Sequence, residues 1–435
     1  MQSINRTQLF RASCLSLLVT SLSFGIRAGI LVSQGVKFHL DGSELSTIAA
    51  TAFWGFPLAI IIGGFIVDII GMKKLLVSAF IFHLMGIILT ICANGYWTLF
   101  LSTLLIGIAN GTVEAACNPL VASLFPDNKT TKLNHFHLWF PAGIVIGTLL
   151  VFGLDYVLAH GESNKPYWIS QVEIALMLIP TLTYGFLFSK LKFPVTERVA
   201  AGVSTGDMYA ALINPLFIFM IICMFGTAIT ELFTNQWTDV FFNTVTKNSI
   251  LILTFVASVQ VLGRAFASPI VHRFAPQGVL LISAILSALG IYLLVHLHGD
   301  AIFLAAIIFG LGIAFFWPCM IGFVAENLPR TGAVGLNLMG GAGMFAVSIY
   351  MIFMGGYYDR FLIKNLPSGA SLDAYRSAPV GSDMAKAYDA ARSAAGPEVL
   401  NTTLIIPVIL IFAFLGLVIY MRSKNKTTPL KTVAV

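Results

Sequence analysis

Three ionisable side chains stand inside long apolar runs: Arg27 in "FGIRAGI", Glu114 in "NGTVEAACNP" and Glu231 in "TELFTNQWTDV". A charge held in hydrocarbon costs at least ~2.5 kcal/mol, so each is expected to serve a ligand, an ion or another buried charge. Asn110, Glu114 and Asn118 recur at i, i+4 and i+8 and form one polar stripe if the segment is helical. Such a stripe binds hydroxyl groups, and Glu114 can take up and release a proton. The competing reading is a packing clamp between helices. Glu231 and Asn235 also share a helical face, with Gln236 and Trp237 following. Amides pair with hydroxyls and an indole stacks on the apolar face of a sugar ring. Trp237 fits an aromatic belt at the membrane surface equally well. Trp317, just before Pro318 in "FFWPCM", suits either a stacking wall or a core position beside a kink. Asn337 lies among Gly335, Gly340, Gly341 and Gly343, in a helix of small residues suited to sliding. The candidate substrate-binding set is therefore Arg27, Asn110, Glu114, Asn118, Glu231, Asn235, Gln236, Trp237, Trp317 and Asn337, with Glu114 and Glu231 as proton-coupling candidates.

The composition identifies the solvent around these residues. Hydrophobic residues make up 57% of the 435 and charged residues 10%, against about 25% charged in soluble domains. The apolar residues cluster in runs of about 20, enough to cross a ~30 Å hydrocarbon layer as helix. Twelve are expected, near 12–35, 46–67, 75–94, 98–121, 135–158, 168–188, 213–240, 250–271, 278–297, 301–324, 334–357 and 402–421. The chain is thus an all-α integral membrane protein with the lipid bilayer as partner. The first run is long and no A-x-A site follows it, so it reads as a retained helix and not a cleaved signal.

The loops carrying Lys73, Lys74, Lys129, Lys132, Lys190 and Lys192 fall on one side with both termini, while the short opposite loops hold only Lys37, Lys165 and Lys247. Basic loops stay cytoplasmic. Both termini are therefore expected inside, in a bacterial-type inner (plasma) membrane. The net charge of +6 follows from this bias and a basic tail at 422–435, and calls for no nucleic acid. The five cysteines lack metal or disulfide spacing, and no GxxxxGK[ST] loop or Ser/His/Asp cue is present. No metal, cofactor or enzymatic activity is expected, and any uphill transport must draw on gradients.

The chain repeats itself. Gly107 matches Gly310 and Asn134 matches Asn337, both at an offset of 203; "FIVDIIG" around Asp68 matches "PIVHRFA" around His272 at 204. The organisation is then a six-helix half (1–188), a cytoplasmic linker (189–212) and a second six-helix half (213–435), the halves related by an axis along the membrane normal. A polar segment at 359–400 delays the last helix and is expected outside, with a short surface helix.

This layout resembles the major facilitator superfamily over the whole chain. "GGFIVDIIGMKK" is similar to that superfamily's loop between helices two and three, with Gly64, Asp68, Gly71 and Lys73 in place and Met72 where a basic residue is usual. The resemblance implies that this loop braces the cytoplasmic gate. "EAACNP" and "LNHFHLWFPAGIVIG" further resemble helices four and five of the fucose:proton symporter family, with Glu114, Asn118 and Pro119, then Asn134, Pro141, Gly143 and Gly147. That likeness implies that Glu114 is a sugar and proton site, and that the protein is a monomer. The chain departs from the family in helix one, where Gly29 replaces an acidic residue involved in coupling.

Helix depth gives one further expectation. At 1.5 Å per residue, Arg27 lies ~21 Å in and Glu231 ~24 Å in from the same face, whereas Glu114 is ~9 Å from it. An Arg27–Glu231 pair across a central cavity is expected. Gly263-Arg264 in helix eight fits either a cavity cation or an anchor at the membrane surface, and His135 and His137 at the start of helix five suit a structural role. The function read from the residues is secondary transport of a small polar solute, a sugar or sugar derivative, by alternating access with protons. An organic-anion or acidic-sugar carrier follows instead if Glu231 points away from Arg27. The alternative of another class is a membrane sensor or scaffold that binds without translocating.

Overall fold

A bilayer supplies no hydrogen-bond partners, so a chain this apolar must satisfy its backbone within each segment. The computed structural model does so with helices alone among the residues it describes, which are 4–40, 42–158, 165–234, 249–297, 299, 301–367, 369, 371–376, 378–379 and 381–427. Helices one to four span Arg6–Phe38, Gly42–Ile70, Met72–Ile91 and Tyr96–Leu124. Helix five is broken into Lys129–His137 and Trp139–Leu158, and helix six into Tyr167–Ala175 and Leu178–Lys190. Two short helices, Glu197–Ala200 and Thr205–Leu212, make the linker.

The second half starts with Pro215–Ala228, which widens into a π turn at Ile229–Phe233. Helix eight is Ser249–Ala265. The following run Ala267–His296 kinks at Ala275 (φ 53°, ψ 163°) before Pro276, and helix nine lies beyond the kink. Helix ten is broken into Ala301–Ile313 and Phe316–Asn327, helix eleven is Gly332–Asn365, and helix twelve joins Asp383–Thr403 to Ile405–Thr427. Eleven described stretches are long and apolar enough to cross a membrane. Helix eight, uninterrupted for 17 residues, is the remaining one of the twelve expected.

Small residues set the spacing of these helices. A Cβ on Gly107 or Gly111 would strike the backbone of Ala52 or Phe56 in helix two, so helices two and four touch backbone to backbone. Gly86 of helix three abuts Ile106 of helix four, and Gly290 of helix nine abuts Phe309 of helix ten. Between the halves, Gly64 meets Asn337, and Gly340 and Gly341 meet Ile60 and Ile61.

The polar segment 359–400 differs from expectation. It is largely helical. Helix eleven has 34 residues, or ~51 Å, and projects well beyond a ~30 Å layer. Helix twelve begins at Asp383 and folds back on it. Leu362, Leu366, Ala391 and Ala395 form a separate small core there, flanked by Tyr358, Phe361 and Tyr388. Alanine-rich sequence reads as polar linker by composition, yet alanine is the best helix former.

Candidate functional site

Three irregularities lie between the halves: the break of helix five at Leu138, the break of helix ten at Ala314–Phe315, and the π turn of helix seven. Each leaves backbone groups without their usual helical partners. Arg264 of helix eight answers two of these. Its Nε donates to Ala314 O (2.6 Å) and its Nη1 to His137 O (2.7 Å), the second bond crossing from one half to the other. Its Nη2 donates to Glu231 Oε1 (2.9 Å), forming a buried ion pair. Gln260 Nε2 donates to the same carboxylate oxygen (3.1 Å).

Arg264 is therefore the cation that pairs with Glu231, and the expected Arg27–Glu231 pair does not form. Depth alone misled because it ignores azimuth: the two residues share a level, but the π turn aims Glu231 towards helix eight. Arg264 carried the same signal as Arg27, a charge among apolar residues, without a cue to its orientation.

A small, partly open cavity lies against this pair. Phe24, Phe56, Phe140, Leu232, Met344 and Trp317 form its apolar walls, and Glu114, His137, Glu231 and Arg264 its polar part. Glu114 is 2% exposed. Its one hydrogen bond among the described residues is a long one, from Asn118 Nδ2 at 3.4 Å. Asn118 is held in turn by His137, whose Nε2 donates to its Oδ1 (3.0 Å). Three groups at the cavity thus have spare hydrogen-bonding capacity. Glu231 Oε2 and Trp317 Nε1 are buried without a partner among the described residues, and Glu114 has only its weak bond. A substrate offering hydroxyl groups can satisfy the carboxylates as a donor and the indole N–H as an acceptor.

The remaining sequence candidates are placed as follows. Asn110 faces away from the cavity. Its Oδ1 accepts from His83 Nε2 (2.8 Å), its Nδ2 donates to Ser23 Oγ (3.1 Å), and Tyr184 donates to His83 Nδ1 (2.8 Å). The run from Ser23 through Asn110 and His83 to Tyr184 ties helices one, four, three and six together, so Asn110 is a clamp in the first half. Residues at i and i+4 differ by 40° of helix rotation, which over two steps separates Asn110 from Asn118. Asn337 is also a clamp: it is fully buried, its Nδ2 donates to Ala115 O (3.0 Å) across the halves, and its Cβ meets Gly64. Trp317 packs on Gly343 of helix eleven and lines the cavity. Arg27 is half-buried, its guanidinium 5.9 Å from the Phe24 ring centroid. Asn235, Gln236 and Trp237 lie outside the described residues.

The face carrying the linker is sealed. Asp68, at the end of helix two, accepts from Thr196 Oγ1 (2.5 Å) and Arg198 Nε (2.6 Å), both linker residues. Glu197 pairs with Lys129 (2.6 Å), which also donates to Ala325 O of helix ten (3.1 Å). Glu326 accepts from the backbone N (2.9 Å) and hydroxyl (2.6 Å) of Thr130. Arg198 presses on Gly332 at the start of helix eleven, where φ is +59°. The four-residue linker helix thus bridges helix two, the start of helix five and the start of helix eleven. The sequence offers no periodic cue for that role. Gly71, with φ +87°, turns the chain after helix two. Lys73 donates to Ser189 O and Leu191 O (2.9 and 3.1 Å) and so binds the end of helix six, within the same half.

A model of the Major Facilitator Superfamily matches residues 13–349. Among curated proteins, the Xenopus laevis solute carrier family 2, facilitated glucose transporter member 10 is 26% identical over 157 residues, 36% of this chain and 28% of that protein. A TsgA homolog of Buchnera aphidicola is 25% identical over 133 residues, 31% and 34% of the two chains. The matched part is about a third or less of either relative's length. Solved structures agree over nearly the whole chain. The transporter FucP in its outward conformation superposes with TM-score 0.67 at 16% identity, covering 92% of this chain and 98% of that one. The proton:xylose symporter XylE, bound to 6-bromo-6-deoxy-D-glucose, gives 0.69 at 14% identity, covering 93% and 96%. The human organic anion transporter MFSD10 gives 0.66 at 13%, covering 95% and 100%.

Proposed function

The chain belongs to the major facilitator superfamily, and from that premise we propose that it is a proton-coupled carrier of a sugar or sugar derivative, working by alternating access. The transport class and membrane embedding follow from the family; the substrate, the proton and the orientation are our reading. One observation carries it: Glu114 is a buried carboxyl on the wall of a cavity between the halves, with no cation bonded to it among the described residues. Glu231, the other carboxyl there, is held by Arg264 and Gln260. Glu114 is then the proton carrier, and Glu231 the partner that keeps Arg264 in place. Aromatic walls beside unsatisfied polar groups suit a sugar, which has hydroxyl edges and apolar faces. The curated relative named as a glucose transporter supports the same class.

With both termini in the cytoplasm of a bacterial-type inner membrane, as the basic loops favour, the sealed face is cytoplasmic. Release inward requires the links of Asp68 to Arg198 and of Lys129 to Glu197 and Ala325 to part. Gly64, Asp68, Gly71 and Lys73 then act in the gate, together with the linker. The carrier acts as a monomer on a small-molecule substrate.

The test is counterflow and pH-driven uptake of labelled sugars into proteoliposomes holding the purified protein. Accumulation abolished by a protonophore is expected. Ligand-induced thermal stabilisation without counterflow by any bound sugar would make the protein a sensor.

A further inference from the structure

Resting on the sugar-carrier reading, we infer that the carried sugar is an acid: a monoanion whose carboxylate is bound by Arg27 and which travels with one proton on Glu114. Arg27 has no ion pair and no hydrogen-bond partner among the described residues. It is half-buried in a membrane-spanning helix, and its guanidinium is 5.9 Å from the centroid of Phe24. Phe24 is itself a wall of the central cavity. Three residues of helical rise put Arg27 ~4.5 Å further along helix one than that wall. A carboxylate bound there would belong to the same sugar whose hydroxyls meet Glu114 and Trp317. Arg264 is the less available cation, because three of its five N–H groups already bond Ala314 O, His137 O and Glu231.

Charge balance points the same way. The groups facing Glu114 are His137 from helix five, Glu231 from helix seven and Arg264 from helix eight; Arg27 stands on helix one, and His83 of helix three lies behind Asn110. His137 is engaged by Asn118 and taken as neutral. With Glu114 ionised, the two arginines balance the two carboxylates and the empty site carries no net charge. A proton on Glu114 makes the site +1, and a monoanion returns it to zero. A neutral sugar with a proton leaves +1 to be carried through the low-dielectric centre, where each uncompensated charge is costly. Both reorienting forms, empty with Glu114 ionised and loaded with proton plus anion, are neutral. Uptake is therefore electroneutral.

The experiment uses the full chain in proteoliposomes, with labelled D-glucuronate and D-galacturonate against D-glucose and D-galactose. Membrane potential is clamped with potassium and valinomycin. The uronates are expected to be favoured over the parent aldoses by at least about tenfold, the worth of a charged hydrogen bond. Their uptake should follow the pH gradient and ignore the potential. In Arg27→Gln the acid-to-aldose ratio should fall at least about tenfold; Arg27→Lys, which keeps the charge, should restore part of it and guards against a folding defect. Aldose transport with no acid preference, or driven by the potential, overturns this inference and leaves the sugar-carrier reading standing. Transport of neither class overturns both. Preference for glucose 6-phosphate, a dianion, over the uronates overturns the monoanion assignment.

Discussion

The Arg264–Glu231 pair makes a double-mutant cycle decisive. Glu231→Gln removes the negative partner and leaves Arg264 buried, still bonded to Ala314 O and His137 O. Breaking a buried ion pair from one side costs about 3–5 kcal/mol, or roughly two to three and a half decades in the folding equilibrium. Arg264→Met should cost more. It strands Glu231 and also two carbonyls at helix breaks, at about 1–3 kcal/mol for each unsatisfied group. The double variant removes both charges but not the loss at the carbonyls. It should be less destabilised than Arg264→Met alone, with a coupling energy of about 0.5–3 kcal/mol. Denaturant or thermal unfolding in detergent, followed by intrinsic fluorescence, measures all four corners. The control is Arg27→Met combined with Glu231→Gln, which should be additive within about 0.5 kcal/mol because no bond joins them. Additivity at Arg264 with coupling at Arg27 would refute the assignment.

Glu114→Gln imitates the protonated carboxyl and should keep exchange between equal sugar pools while losing accumulation driven by a pH gradient; if protonophore-sensitive accumulation survives, Glu114 is not the proton site. Asp68→Asn should cut transport while leaving equilibrium binding of the sugar intact, and Arg198→Gln should reproduce it; cysteine accessibility on the linker face reads the loosened gate, and loss of binding in folded protein contradicts the gating role. Asn110→Ala should destabilise the first half by about 1–3 kcal/mol by stranding buried His83, seen in unfolding, with sugar affinity in the surviving folded protein changed less than about threefold. Trp317→Phe keeps the stacking wall but removes the indole donor, so it should weaken sugar binding about tenfold, measured by equilibrium titration; unchanged affinity would assign Trp317 to packing alone.

Much of the architecture was legible along the chain because its causes are local. Twenty apolar residues cross a bilayer wherever they stand, and a charge among them is conspicuous without coordinates. Glu114 and Glu231 stood out that way, the Asp68 loop stood out by its resemblance to a superfamily motif, and the offset of 203 between Gly107 and Gly310 pointed to two six-helix halves. What the sequence could not decide was direction. Helical spacing groups residues on a face but does not say which neighbour that face meets, since each helix turns about its own axis by 100° per residue. So Asn110 and Asn118 share a stripe, yet one bonds His83 behind and the other His137. Arg27 and Glu231 share a depth, yet a π turn hands Glu231 to Arg264. The linker reads as a cytoplasmic tether that is basic at its start, yet Thr196, Glu197 and Arg198 bond Asp68 and Lys129 and press on Gly332, because only the assembled halves bring those groups around it. Composition and period belong to one segment at a time; which buried charge finds which partner belongs to the rotation and breaks of several helices at once.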